Sequence, residues 1–459
     1  MRKIPVAMSI AGSDSGGGAG IEADLKTFAA FNVHGTVAIT AITAQNTMGV
    51  FGIGDVDLDL IEKQIDSVVQ DIGVDAAKTG MLHRKEVIEL VAKKVKEYGF
   101  PLVVDPVMVA KSGARLLRKE AEEALIKCLI PVAKVVTPNA MEAEVLSGIK
   151  VSTVEEMKDA ARKIASLGCE AVVVKGGHAG PKERALDILY YKGRFFEIEG
   201  ERFDTKTTHG TGCGFSAAIT ACLAQGLDVI ESVMKAKEFI RYAIEFGINV
   251  GRGHGPINPL AKLYIDSEKF RIIERLYRAI DVLEKNSEVS NLIPEVQSNI
   301  VESLPYEYAK NVMDVAGVTG RIVRLKDKVK AVGRPEFGAS SHVARIVLTV
   351  MKHDPQYRAC MNIRYSPKIV EVCKKLGLQV SYFEREKEPE DVKKVEGASL
   401  PWGVREAILE AGKVPDIIYD TGDVGKEPMV RVLGKDSIEV SEKVVLIAKE
   451  YSKVIEDEK

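Results

Sequence analysis

The sequence predicts an α/β protein in two parts: an α/β sandwich with a largely parallel sheet, then a second, smaller α/β unit. Three observations carry this. Up to about residue 260, short apolar runs alternate with amphipathic helical stretches, the grammar of strands joined by crossover helices. Glycine-rich turns follow apolar runs and open helices, above all at Thr207–Ser216 (TTHGTGCGFS). From Lys262 to Asn286 the chain turns highly charged, with Phe270, Ile273, Leu276, Tyr277 and Ile280 at helical spacing, before strand and helix signals resume. The expected division is residues 1–262, a helical linker at 263–290, and a second domain at 291–459. At 459 residues the chain is too long for one ordinary core.

In chain order, Ile4–Ile10 is a short strand running into the loop AGSDSGGGAG and an amphipathic helix. Asp24 lies in that helix start, where it could face a ligand held over the loop. HGTVAITAITAQNT reads as a buried strand and then a loop carrying Gln45 and Asn46. A helix follows at Leu58–Gln70, then the strand-like DAAKTGM leading to Met81, and a helix at Arg84–Tyr98. Leu102–Val104 delivers Asp105 at a strand's carboxyl end, where open α/β sheets place their ligands. VAKVVTPNAMEA repeats this with Asn139 and Glu142 at a helix start. That pair suits a cap or, alternatively, a hydrated Mg²⁺ beside phosphates. EAVVVKGGH presents Lys175 at the next strand exit, and two antiparallel strands flank a Lys192–Gly193 turn. Lys237, on a helix at Val229–Val250, reads by default as part of a solvated face.

Gly210, Gly212 and Gly214 form a turn feeding a helix, so free N–H groups and the positive dipole end converge on one spot. Phosphate is the natural guest. Cys213 sits at that helix mouth, where the dipole is expected to favour the thiolate.

Composition narrows the function classes. A net charge of −2 supplies no basic field for nucleic acid. No apolar run reaches the ~18 residues of a membrane span, and the first residues read as a strand rather than a signal peptide. Six cysteines without a CxxC pair suggest free thiols in a reducing cytoplasm.

The ordered motifs AGSDSGGGAGIEADLKTF, ITAITAQNT, KTGML, VVDPVM with AKSG, TPNAMEA, VVKGGH and TKTTHGTGCGFSAA span residues 1 to about 260. Together they resemble the hydroxymethylpyrimidine/phosphomethylpyrimidine kinases of thiamine biosynthesis. The resemblance implies a ribokinase-like α/β/α sandwich that phosphorylates an aminopyrimidine twice from ATP with Mg²⁺. It implies that Gly12, Asp24 and Gln45 hold the pyrimidine, with Met81 and His209 lining the pocket. Asn139 and Glu142 would serve Mg²⁺, and Lys175 and Lys237 would lie near ATP. Gly210, Thr211, Gly212 and the Cys213 backbone would hold phosphate, with the Cys213 side chain as base. Pyridoxal kinases of the same branch are the competing assignment, and a family-like homodimer is implied as well.

Beyond residue 290, VAGVTGRIVRL, GRPEFGASSHVARIVL, ACMNIRYSP and PDIIYDTGDVGKEPMVRVLGK resemble the thiamine-phosphate synthase domain fused to such kinases, mainly in archaea. Candidate strands lie around Gly320–Leu325, Ala359–Ile363, Gln379–Phe383 and Pro415–Tyr419. Candidate helices are His342–His353, Pro367–Leu376, Val404–Ala411 and Lys443–Tyr451. Ser340 or Ser341 could cap the helix at His342, and Arg321, Arg334 or Arg364 could neutralise phosphate. The resemblance points to Arg321 as anion stabiliser and His342 as phosphate contact or proton donor. The implied chemistry couples the pyrimidine diphosphate to thiazole phosphate, with Asp420 and Asp423 as further candidates for metal or the pyrimidine amine. Related domains act instead as thiamine-phosphate sensors, which leaves a non-catalytic module as the alternative.

Overall fold

The computed structural model describes residues 4–109, 116–177, 184–423 and 425–457. The AKSG segment and His178 of VVKGGH lie outside them. The chain divides into two compact units, Met1–Leu263 and Tyr264–Lys459.

The first unit holds an eight-stranded sheet. Its strands are β1 (Val6–Ala11), β2 (His34–Ile39), β5 (Ala76–Thr79), β6 (Leu102–Val104), β7 (Val135–Val136), β8 (Ala171–Val174), β9 (Arg184–Tyr191) and β10 (Arg194–Glu201), while β3 (Ala41–Asn46) and β4 (Gly49–Asp55) form a separate hairpin. The sheet order is β10-β9-β8-β7-β6-β5-β1-β2. Pairs from β2 to β8 are parallel, and β9 and β10 add an antiparallel edge. The parallel strands are continuous apolar runs because both faces are covered. Met8, Ile10, Leu102, Val104, Val136 and Val172 pack into one core, while Val103, Val135, Ala171 and Val173 pack into the other. Strand order reverses at β1, which lies between β2 and β5, and this reversal places a crevice at the strands' carboxyl ends. The Lys192–Gly193 turn joins β9 to β10, both residues having positive φ. Gln45 and Asn46, expected in a loop, instead end β3, because a second strand returns to pair with them.

The second unit is a mainly antiparallel seven-stranded sheet. It comprises β11 (Ile300–Ser303), β12 (Val315–Val318), β15 (Pro335–Phe337), β16 (Ala359–Arg364), β17 (Val380–Tyr382), β18 (Ile417–Asp420) and β19 (Met429–Gly434), with a side hairpin of β13 (Ile322–Leu325) and β14 (Lys328–Ala331). Among the described residues of this unit, the only parallel strand pair is β17 with β18. The helices Ser341–Val350 and Ser399–Ala411 share a core with the buried residues Val301, Cys360, Ile418 and Leu433.

The stretch expected as a linker differs from that expectation. The helix Ala261–Lys285 buries Ile272, Leu276, Ala279 and Leu283, and Arg275 donates to Glu302 Oε1 at 2.8 Å. Glu284 accepts from the Ala331 N–H at 2.9 Å. Its apolar stripe has a core to cover, so from Tyr264 onward it is part of the second unit.

Candidate active sites

In the first unit the two glycine loops meet at the carboxyl ends of the parallel strands. Asp14, almost fully buried, accepts from the backbone N–H of Gly16, Gly18 and Ala19 at 2.8, 3.1 and 2.8 Å. Its Oδ2 also lies 2.8 Å from His209 Nε2. Burial pushes the Asp14 carboxyl up, but the His209 hydrogen bond and these N–H groups outweigh it and hold it below the usual range. Gln45 Nε2 lies 3.2 Å from the same His209 nitrogen. Gly210, at φ +80, has no room for a side chain: a Cβ there would come 1.9 Å from the Gly18 carbonyl oxygen. Gly12 packs against Met81, whose Cε would lie 2.4 Å from a Cβ on the glycine. Gln45 and His209 thus meet beside Asp14, Gly210 meets Gly18, and Gly12 meets Met81.

A second group lines the phosphate-ready helix Thr211–Ala224. Lys175 Nζ lies 3.3 Å from Asp105 Oδ1, and Ser216 Oγ donates to Asp105 Oδ2 at 3.3 Å. A Cβ on Gly212 would sit 3.4 Å from Lys175 Nζ and 3.5 Å from Asp105. The glycine thus lets the ammonium and the carboxylate approach the helix mouth. Thr211 turns its hydroxyl back to the Thr208 carbonyl at 2.7 Å. Asn139 and Glu142 form a capping box on the helix Ala140–Ser147: Asn139 Oδ1 accepts from the Glu142 N–H at 3.0 Å and Glu142 Oε2 from the Asn139 N–H at 2.8 Å. Burial raises the Glu142 carboxyl to about 7 against the pull of Lys175, with the Asp105 charge adding to the rise.

Three expectations are corrected. Cys213 does not rest as a thiolate: burial pushes its thiol up to about 12, and Asp24 and Asp105 add to the rise against the pull of Lys78. Burial, with two carboxylates adding to it, thus outweighs what the helix mouth offers the thiolate. Asp24 does not face the loop ligand. It is fully buried, accepting from Lys78 Nζ at 2.9 and 3.0 Å and from Ser9 Oγ at 2.6 Å. Lys237 is neither solvated nor free for a nucleotide, since its Nζ donates to Asp187 Oδ2 at 2.6 Å and to the Ala185 carbonyl at 3.2 Å. Asp187 also takes the Gly176 N–H at 3.0 Å, so Lys237 pins the turn directly after Lys175.

Sequence reasoning missed Lys78, Asp14 and Asp187. Lys78 had a signal, a lysine inside the apolar strand AAKT. The side-chain partners of Asp14 and Asp187, His209 and Lys237, are 195 and 50 residues away, so no local pattern marks these pairs.

In the second unit, Gly320 and Arg321 both have positive φ, at 69° and 70°, forming a sharp turn ahead of β13. Arg321 is exposed, and its guanidinium donates to the Val296 carbonyl. His342 is exposed in the first turn of the helix Ser341–Val350, with Nδ1 3.4 Å from Ser341 Oγ. Neither Ser340 nor Ser341 caps this helix: Ser340 holds the N-cap position but turns no side chain onto the following N–H groups. No hydrogen bond or ion pair joins Arg321 to His342 among the described residues, although Ser340 packs near Gly317 on β12, the strand leading to Arg321. Asp420 is a correction. It is buried between two arginines, accepting from Arg385 Nε at 2.7 Å, with Arg431 Nη2 at 2.7 Å. Burial raises it, but the two guanidinium groups prevail and hold it below the usual range. Bound in this way, it braces β18 against β19 instead of standing free for a metal. Asp423 lies in a turn bridged to Lys426. Among the described residues, no three His, Cys, Asp or Glu side chains gather as a metal cage, and no helix is long and apolar enough to cross a membrane.

Comparison with known proteins covers both units. The family described as phosphomethylpyrimidine kinase matches residues 14–258, and the family described as thiamine-phosphate synthase ThiN matches residues 275–446. A bifunctional thiamine biosynthesis protein ThiDN of Methanocaldococcus jannaschii is 35% identical, over 97% of this chain and 99% of its own. A hydroxymethylpyrimidine/phosphomethylpyrimidine kinase of Bacillus subtilis is 46% identical, over 56% of this chain and 94% of its own. Among solved structures, an ADP complex of Bacillus subtilis pyridoxal kinase superposes with a TM-score of 0.53 at 43% identity, covering 57% of this chain and 99% of that one. Its first unit thus built on a ribokinase-like α/β/α sandwich, the chain belongs to the phosphomethylpyrimidine kinase family and, taken whole, to the bifunctional thiamine-biosynthesis proteins that join such a kinase to a ThiN domain.

Proposed function

We propose that the first unit phosphorylates 4-amino-5-hydroxymethyl-2-methylpyrimidine twice from ATP. The second then couples the diphosphate to hydroxyethylthiazole phosphate, giving thiamine phosphate and pyrophosphate. The observation that carries the reading is the likeness to a bifunctional thiamine biosynthesis protein along 97% of the chain.

In the kinase site, Gly12, Gln45, Met81 and His209 receive the pyrimidine, whose ring nitrogen and amine suit the Gln45 amide. The helix mouth at Gly210, Thr211 and Gly212 takes phosphate with backbone N–H groups, and Lys175 supplies positive charge beside it. ATP use is in keeping with the ADP complex of the pyridoxal kinase neighbour. The donor set fits Mg²⁺: hard oxygens at Asn139 and Glu142 beside Asp105, too few for a protein cage, suit an ion held largely through water and phosphate. When bound, that ion neutralises charge on the transferring phosphoryl group. Cys213 is the base: a neutral thiol at rest, it first gives its own proton to solvent, and the thiolate sulfur then takes the substrate hydroxyl proton as the new O–P bond forms and ADP leaves with the electrons of the breaking bond. Asp24 and Lys237 act indirectly, through Lys78 and Asp187.

In the second unit Arg321 neutralises the departing pyrophosphate and His342 contacts phosphate or supplies a proton, while the thiazole nitrogen attacks the pyrimidine methylene. The hairpin β3–β4 exposes Ile42, Met48 and Phe51, and this apolar surface supports a homodimer. Pyridoxal is the second reading for the kinase, resting on the name of the structural neighbour.

One experiment tests the whole: full-length protein with the hydroxymethylpyrimidine, Mg-ATP and hydroxyethylthiazole phosphate, read by mass spectrometry. Thiamine phosphate is the expected product. Pyrimidine diphosphate without coupling makes the second unit a sensor. No phosphorylated pyrimidine, with pyridoxal phosphorylated instead, overturns the kinase assignment.

A further inference from the structure

In the second unit one buried acid takes no part in the reaction scheme above. Glu388 follows β17 and the short turn Arg385–Lys387. Its side chain is only 1% exposed, yet its Oε1 meets no hydrogen-bond donor among the described residues. A buried polar atom left in this state costs free energy, and native folds keep few of them without a reason. The other oxygen, Oε2, lies 3.8 Å from Lys426 Nζ.

The surrounding contacts tie Glu388 to Arg321. Arg385 Nε donates to Asp420 at 2.7 Å, which holds the segment carrying Glu388 against the end of β18. The Gly422 N–H turns back to Asp420 Oδ1 at 3.0 Å, and Asp423 and Lys426 exchange backbone hydrogen bonds at 3.0 and 2.8 Å. Lys426 thus reaches Glu388, and the next residue reaches the other way. Glu427 accepts from the N–H groups of Glu295 and Val296 at 3.1 and 3.2 Å. The Val296 carbonyl in turn receives the Arg321 guanidinium. Glu388 and Arg321 therefore flank the pair Lys426–Glu427, one with a free acceptor and the other with a cation.

What Glu388 Oε1 lacks is a donor. The Lys426 ammonium beside it repels a metal ion, and no three His, Cys, Asp or Glu side chains gather there among the described residues. A neutral N–H group meets neither objection. Of the two substrates proposed for this unit, hydroxyethylthiazole phosphate carries no N–H, whereas the pyrimidine diphosphate carries an exocyclic amine. Its phosphates suit the arginine across the loop.

We infer that Glu388 is a substrate-binding residue of the second unit: its Oε1 accepts a hydrogen bond from the exocyclic amine of the pyrimidine diphosphate, while Arg321 holds the phosphates. The inference deepens the coupling reading and rests on it. Recognition of the amine falls to Glu388 and not to Asp420, which its two arginines already occupy. A 4-oxo pyrimidine would set a carbonyl oxygen against the carboxylate, leaving both acceptors without a proton between them. Thiamine phosphate keeps the amine, so it serves as a probe whether the second unit is a synthase or a sensor.

The test is the preference of the full-length protein for thiamine phosphate over its 4-oxo analogue, taken as the ratio of dissociation constants from titration calorimetry. The parent is expected to prefer the amine about thirtyfold or more. Glu388→Gln, whose amide can turn either its oxygen or its NH₂ to the ligand, is expected to bring the two ligands within about threefold of each other. In coupling, Glu388→Ala is expected to raise KM for the pyrimidine diphosphate about tenfold and to leave KM for the thiazole phosphate within about twofold, a split that general loosening of the fold would not produce. An unchanged preference in Glu388→Gln overturns the inference. If that variant does not fold, equal affinity of the parent for both ligands does the same. The reading beneath it fails separately: a parent that neither couples nor binds thiamine phosphate removes that reading, and the inference with it.

Discussion

At Cys213 and Glu142 the fold holds ionisable groups away from their ordinary states. With Cys213 as the proposed base, Cys213→Ala removes the proton acceptor but leaves the proposed anion hole and Lys175 in place, so kinase turnover is expected to fall about 10²–10⁴-fold. Pyrimidine KM should change little, which steady-state kinetics would check. Glu142 has a carboxyl raised by burial to about 7 in the folded protein, against 4.5 as its reference value. The fold therefore binds more protons than the unfolded chain between those values, and this residue's contribution to stability falls as pH rises through the interval. Glu142→Gln keeps the capping geometry and cannot ionise. In the absence of ligand it should melt at a higher temperature than the parent at pH 8, by a few degrees, and the gap should close as pH drops toward 5. Thermal melts across that range decide it. The same substitution should raise the Mg²⁺ concentration needed for half-maximal kinase activity, which is the outcome that ties the residue to the metal rather than to its cap alone.

Gly210 and Asp14 show how the two glycine loops act as one element. Gly210→Ala must place a methyl group against the Gly18 carbonyl at a φ that L-residues avoid. The loops should part, kinase activity should be lost, and coupling of pre-made pyrimidine diphosphate by the second unit should persist in the same protein. Loops of this kind were readable because turn chemistry is local: a strand, three glycines and a helix are contiguous. The parallel strands were readable for the same reason, each being a short apolar run. What lay hidden is non-local. Asp24 reads as a helix-start carboxylate facing a ligand over the loop until Lys78, 54 residues on, is folded over it. Lys237 reads as solvated until Asp187 is brought beneath it. Asp420 reads as a turn aspartate until Arg385 and Arg431 enclose it. The charged helix at Ala261–Lys285 reads as a connector because its apolar stripe is narrow, yet Leu276 and Leu283 are fully buried. In the second unit β11, β12, β14, β15 and β19 were not among the expected strands: β11 is only four residues long and carries Glu302, fully buried because Arg275 meets it, and β19 carries Arg431. A charged residue in a short strand conceals the strand until its partner is known.

Across the whole chain, two units each carry a site of their own, and the product of one is the substrate of the other. Covalent fusion raises the local encounter of the diphosphate with the second site only as far as tethering raises effective concentration, and it does not by itself create a channel. All the residues assigned to phosphoryl transfer lie before Leu263, and Arg321 and His342 lie after it. Loss of one site should therefore leave the other intact. Arg321→Ala and His342→Ala should each lower coupling at least tenfold, since an exposed guanidinium or imidazole that only filled surface would cost nothing, while pyrimidine diphosphate accumulates at the parent rate. Cys213→Ala should do the reverse, failing with hydroxymethylpyrimidine and succeeding with supplied diphosphate. An equimolar mixture of Cys213→Ala and His342→Ala proteins then becomes decisive. A freely diffusing diphosphate should restore thiamine phosphate formation after a lag, during which the diphosphate builds up in solution. The lag should shorten as protein concentration rises, because release and recapture between separate molecules is bimolecular. A mixture that makes no thiamine phosphate and no more diphosphate than one equivalent of the His342→Ala protein, although the Cys213→Ala protein works on supplied diphosphate, would mean that the intermediate is not released before coupling.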